Sequence, residues 1–222
     1  MRRLGVFRLL VLFAFPVTAA DWGIGAGSGA FLYGDFARFQ STVGTELSTV
    51  PVEEVLAADT RPGLQIHLER FVGERWSIRS DATFARSPIA IRASDDEDAV
   101  ALDVGELDVL TISLAAAFRF NRGGRVRPYL YAGPVWAQFA VRENDETGVP
   151  PIFRESRTEI GAVGGAGVEW WVSDRFAIRG EISDIVTPSP FEESDFRGIE
   201  GQHVEIPDAH NIHTLVGVTW RF

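Results

Sequence analysis

Apolar and polar side chains alternate strictly in the stretch RTEIGAVGGAGVEWWVSDRFAIRGEISDIV, residues 157–186. Ile160, Ala162, Gly164, Ala166, Val168, Trp170 and Val172 share one face, and Glu159, Gly161, Val163, Gly165, Gly167, Glu169 and Trp171 share the other. Beyond the polar turn Ser173-Asp174-Arg175, Phe176, Ile178, Gly180 and Ile182 alternate with Ala177, Arg179, Glu181 and Ser183. A period of two sustained this long marks strands, and so short a connection makes them an antiparallel hairpin. One face is apolar throughout, while the other mixes glycine with charge.

The same pattern recurs along the chain. Residues 22–34 alternate with Gly23, Gly25, Gly27 and Gly29 on one side. The strand at 61–71 sets Leu64, Ile66 and Leu68 against Gln65, His67 and Glu69, and the next sets Trp76, Ile78, Ala82 and Phe84 against Ser77, Arg79, Asp81 and Thr83. Residues 106–121 place Leu110, Ile112, Leu114, Phe118 and Phe120 opposite Thr111, Ser113 and Arg119. In the strand at 125–141, Tyr129, Tyr131, Val135 and Phe139 are assigned to the outer face. The last strand, 210–222, carries Ile212, Val216, Val218, Trp220 and Phe222 outward, with His213, Gly217, Thr219 and Arg221 inward.

These are eight strands, and their connections alternate long and short. Short turns fall at 72–75, 121–124 and 173–175, and long segments at 35–60, 87–105, 142–156 and 187–209. The first long segment is expected to hold a short helical piece, and the glycines of Asn121-Arg122-Gly123-Gly124 to take positive φ. All short turns therefore lie at one end of the sheet. Beside them gather Phe71, Trp76, Phe118, Phe120, Tyr129, Trp170, Phe176, Trp220 and Phe222, where an interfacial aromatic girdle would sit. One-sided loops, an even strand count and strands long enough to cross a bilayer predict an all-β, eight-stranded antiparallel transmembrane up-and-down β-barrel.

Composition narrows the setting. The 222 residues contain no cysteine, so neither disulfides nor thiolate metal sites are available. Arg2, Arg3 and Arg8, an apolar run at Leu9–Phe15 and the small residues Thr18-Ala19-Ala20 read as a signal peptide at 1–20, with the barrel domain at 21–222. A formal net charge of −10 argues against nucleic-acid partners.

The stretches GGAGVEWWVSDRFAIRGEIS, RVRPYLYAGPVWAQF and the terminal GVTWRF resemble the last strands of OmpA/OmpX-type eight-stranded outer-membrane β-barrels. The resemblance implies an integral protein of a Gram-negative outer membrane, inserted by the barrel-assembly machinery, which reads a C-terminal aromatic strand; Trp220 and Phe222 would be that signal. It also implies lipid and lipopolysaccharide as surroundings. A peptidoglycan-binding domain, present in some relatives, is not expected here.

The inward polar set is Gln65, His67, Glu69, Arg79, Asp81, Arg119, Glu169, Arg179, Glu181, His213 and Arg221. An eight-stranded barrel is just wide enough for side chains to fill, so Arg79, Asp81, Arg119, Glu169, Arg179 and Glu181 are expected to form a packed ion-pair network. The competing expectation is a narrow path for ions or small apolar solutes. A lipid-A-modifying enzyme ranks third, because His203, His210 and His213 have no serine following them to complete a nucleophilic triad. Asp95, Asp96, Glu97 and Asp98 offer oxygen ligands for a hard cation but lack the glycine and spacing of a calcium loop, so a solvated acidic loop is preferred. The expectation is a monomeric structural or surface-interaction barrel without catalysis, metal or cofactor, its loops open to an extracellular ligand.

Overall fold

The computed structural model describes residues 22–45, 48–93, 102–121, 123–143, 156–192, 195 and 203–222. The signal segment and the acidic run Asp95–Asp98 lie outside them. Eleven strands are present among these residues: β1 (Trp22–Tyr33), β2 (Asp35–Thr45), β3 (Ser48–Ala58), β4 (Arg61–Val72), β5 (Trp76–Ala93), β6 (Leu102–Arg119), β7 (Val126–Glu143), β8 (Arg157–Trp171), β9 (Phe176–Thr187), β10 (His203–Glu205) and β11 (Ala209–Arg221). Eight of them close a barrel in the order β1-β4-β5-β6-β7-β8-β9-β11, every pair antiparallel.

Closure happens at the chain ends. β1 and β11 pair from Gly23–Arg221 to Tyr33–Asn211, and the Phe222 amide donates to the Trp22 carbonyl at 2.9 Å. In hydrocarbon an unpaired strand edge leaves backbone groups unsatisfied at several kcal/mol each, so this seam is obligatory.

Outside, the barrel is apolar. Ile160 is 74% exposed and Val216 67%, with Leu64, Ile66, Ile112, Leu114 and Ile182 on the same surface. So much contiguous apolar area is incompatible with water and fits lipid. Next to the short turns Trp76, Phe120, Trp170, Trp220 and Phe222 are exposed, and Phe118 packs edge-on against Phe120 at 5.3 Å. Phe71 and Tyr129 are not part of this girdle. Both are buried inside the barrel.

Three further departures from the alternation reading are structural. Segment 35–60 is a β-hairpin, β2–β3, with no helix among its described residues. Its second strand, β3, docks on the far end of β5, Glu54–Ala93 to Ala58–Ile89, and β10 adds to β2. β5, β6 and β7 are each 18 residues long, whereas a tilted crossing needs about 9–11. Roughly half of each therefore projects beyond the bilayer. Finally, positive φ occurs at Gly73, in the β4–β5 turn, and not at Gly123 or Gly124.

The projecting half has its own core. Phe36, Phe39, Leu56, Ile89, Leu107, Phe139 and Phe191 are buried together there, with Val104, Val109 and Ala209 filling between. An apolar interior thus stands on top of the polar lumen.

Candidate functional site

The lumen at bilayer level holds two charge nodes. In the upper one Arg79 grips Glu181 with both terminal nitrogens, Nη1–Oε2 2.6 Å and Nη2–Oε1 2.9 Å. Its Nε lies 2.7 Å from each oxygen of Asp81. The hydroxyls of Tyr129 and Tyr131 donate to Glu181 at 2.6 Å each, and Arg179 Nε approaches it at 3.5 Å. Arg179 itself donates to Gln65 Oε1 at 2.6 Å. Every oxygen of the Glu181 carboxylate is thus occupied at least twice.

The lower node is centred on Arg119. It holds Glu169 bidentately (Nε–Oε2 3.1 Å, Nη2–Oε1 2.8 Å) and reaches Glu69 at 2.8 Å and the Ser77 hydroxyl at 2.8 Å. Trp171 Nε1 donates to Glu169 at 3.0 Å. The guanidinium lies 4.7 Å from the Phe71 ring, as that of Arg79 lies 4.5 Å from Tyr131. Paired, bidentate and stacked, these buried charges have the geometry that compensates desolvation.

Strand alternation positions all of this. Ser77, Arg79, Asp81 and Thr83 occupy successive inward sites of β5, opposite Glu69, His67 and Gln65 of β4. Glu169 and Arg179 are direct cross-strand partners on β8 and β9. Below Arg119 a cavity of about 510 Å3 opens toward the short turns, lined by Phe71, Gly73, Glu74, Arg119, Gly123, Arg127 and Arg221. It ends where the network begins.

With a closed barrel, a lipid-facing exterior and a charged interior established, the comparisons agree with the geometry. The model of the outer membrane protein beta-barrel domain matches residues 7–222. The chain belongs to that family. It is an integral outer-membrane protein of Gram-negative bacteria. Among solved structures it is similar to the outer membrane protein OprG from Pseudomonas aeruginosa, at 11% identity and TM-score 0.59, covering 92% of this chain and 98% of that one. It is also similar to Neisserial surface protein A, at 13% identity and TM-score 0.50, covering 90% and 97%. These likenesses concern the fold. No curated protein sequence matches.

Within this family barrel, Arg79, Asp81, Arg119, Glu169, Arg179 and Glu181 are all buried and joined in the two nodes, together with Gln65 and Glu69. His67 is bonded to the Thr219 hydroxyl at 3.1 Å, and His213 stacks on Phe31 at 4.0 Å. His210 points outward to Asp184 at 2.9 Å, and His203 lies on β10, so the histidines are not gathered. Trp220 and Phe222 face lipid beside the inner turns.

The tyrosines are the residues of the node that alternation misplaces. Leu130 is exposed, while Tyr129 and Tyr131 are buried, so the faces of β7 are the reverse of the assignment to 125–141. A signal exists in the neighbouring strand. Tyr129 and Tyr131 pair with Gly167 and Gly165, and a Cβ on Gly165 would lie 2.6 Å from the Tyr131 ring. Glycines across from aromatics mark where the rings lie down.

Proposed function

We propose that this protein is a sealed, non-catalytic outer-membrane barrel that presents an ordered β-platform and its loops at the cell surface. One observation carries the reading: the lumen is filled twice, by ion-pair nodes at bilayer level and by an apolar core above them. An ion would have to displace Arg79 from Glu181, then cross a core that is mostly apolar, with Phe36, Phe39, Leu56, Leu107 and Phe139 buried together. Small apolar solutes meet the reverse barrier. The surface function would reside in the β2–β3 platform and the loops beside it, with an extracellular ligand as partner.

The reading includes removal of residues 1–20 as a signal peptide, a monomeric state, and Trp220 with Phe222 as the signal read during assembly. Planar-bilayer recording tests the seal: the expected trace is flat at voltages where porins conduct. Sustained unitary steps would overturn it. Deletion of Phe222 is expected to lower folded barrel in cells while leaving folding in detergent appreciable; unchanged cellular levels would remove the assembly role.

A further inference from the structure

The cavity below Arg119 opens on the periplasmic side, where the short turns of an outer-membrane barrel lie. Its volume of about 510 Å3 falls in the range of small-ligand sites. Its charged lining is Arg119, Arg127, Arg221 and Glu74. Arg119 is fully engaged by Glu69, Glu169 and Ser77 and forms the floor. The other two guanidiniums lie on aromatic rings, Arg127 4.9 Å from Trp171 and Arg221 4.6 Å from Phe71.

Arg127 is the donor aimed into this space. It is half-buried, and its Nε donates to the Gly124 carbonyl at 3.1 Å. Its two terminal nitrogens have no partner among the described residues. Arg119 and Arg221 repel it, and the carboxylate that attracts it, Glu169, is already held bidentately by Arg119. The surrounding turns do not supply the missing anion. Exposed Arg75, Arg125 and Arg175 stand there against Glu74 and Asp174, and the node behind, Arg119 with Glu69 and Glu169, has one excess negative charge. Guanidiniums thus outnumber carboxylates around the mouth among the described residues. Arg70, on the outer face over Trp22, is not part of it.

We propose that this inner vestibule binds the terminal carboxylate of a peptide on the periplasmic side. The planar fork of Arg127 matches a carboxylate bidentately, and stacking on Trp171 holds the fork in one plane. Arg221 adds positive field from the opposite wall. Glu74 makes the site selective: at the exposed rim it can accept the backbone N–H groups that follow a peptide's terminus, and it repels a phosphate of higher charge. Gly123 leaves open space in the wall, where a Cβ would meet nothing within 4 Å, so a side chain of the peptide has room. The pocket faces the barrel axis and not the bilayer, and it does not depend on whether the lumen above is sealed.

The test titrates the full-length protein, in phosphatidylcholine nanodiscs at low salt, with acetylated trialanine bearing a free carboxylate. The readout is the Arg127 Nε–Hε resonance together with calorimetry. A dissociation constant on the order of 1 mM is expected, with the C-terminal amide of the same peptide and inorganic phosphate each about tenfold weaker. Arg127→Gln should weaken binding by about the same factor, and so should Gly123→Glu, which places a carboxylate at the mouth without altering an arginine. Arg175→Gln, in the exposed turn, should bind as the wild type does. Heat-dependent gel mobility verifies that each barrel is folded, and Gly123→Glu decides the matter if Arg127→Gln does not fold. Equal binding of acid and amide, phosphate binding as tightly as the peptide, or wild-type affinity in the folded Arg127 or Gly123 variant would overturn the site.

Discussion

Strand β6 passes through two environments and reverses its chemistry between them. At bilayer level Ile112 and Leu114 face outward and Thr111 and Ser113 inward; further out, Glu106 and Asp108 face outward while Leu107 and Val109 are buried. The β6–β5 register is unbroken between these zones, from Trp76–Phe118 up to Ile89–Gly105. Nothing in the backbone marks the change. The solvent does: lipid demands an apolar outside and tolerates a paired-charge filling, while water demands the reverse. One molecule therefore contains a membrane barrel and a soluble β-structure on the same strands, and each should respond to substitution by its own rules.

The largest expected contrast comes from the lumen. Glu181→Ala removes the carboxylate that Arg79 and Arg179 share, leaving them only Asp81 and Gln65, and unpairs two tyrosine hydroxyls in a desolvated interior, so the barrel should lose about 3–5 kcal/mol in urea unfolding. A loss near zero would mean that water already screens the node. In the outer storey, Leu107→Ala should cost about 2–3 kcal/mol by cavity formation. That loss should appear first as protease cutting of the β2–β3 hairpin with the membrane barrel still resistant. Simultaneous loss of both would show one cooperative unit.

Outward positions sharpen the boundary. Leu114→Arg, lipid-facing, should cost about 2–4 kcal/mol. Gln138→Arg, on the outward face nearer the rim, should cost about 0–1 kcal/mol as interfacial depth is approached. Equal costs would place the membrane edge elsewhere.

The smallest effect is on acidification. Partial burial raises the Asp108 carboxyl, but hydrogen bonds and charge from Arg86 and Arg142 outweigh it and hold the group below the usual carboxylate range. A depressed folded pKa means that the stabilisation is complete above the unfolded value, about 3.9, and is lost as pH falls through the lower folded value. For a pair this exposed the loss should stay below about 1 kcal/mol. Asp108→Asn should abolish the corresponding part of the difference between urea midpoints at neutral and strongly acid pH. An identical difference in the variant would sink the assignment.

The membrane barrel was legible in the residues because its two faces differ sharply at most strands. Ile78 beside Arg79 or Ile178 beside Arg179 leaves no doubt which side meets lipid. Strand β7 was opaque because both faces are apolar or aromatic, Leu130 and Trp136 against Tyr129 and Tyr131, and alternation carries no sign when the contrast vanishes. Segment 35–60 was opaque for another reason. A register irregularity between Asp35 and Ala37 and a proline at Pro51 interrupt the period of two, and the exposed Arg38 and Gln40 are as polar as a loop's residues. Pro88, with the bulge at Ile89–Ala90, hid the extension of β5 in the same way. The ion-pair residues could be enumerated in advance. Their pairing could not, since Arg79 and Glu181 stand 102 positions apart and only closure brings them together.

The seam between Trp22 and Phe222 also sets a clock. β1 and β11 are mutual neighbours, so the barrel cannot close until β11 has arrived, and every earlier form has two open edges. Joining the ends of so long a chain is the slowest kind of contact to find by diffusion. In a compartment crowded with other unfinished barrels, each open edge is also a template for the wrong partner. Topology fixes the last step: the ring closes only when β11 meets β1, and the edges need to be held apart from other chains until that moment.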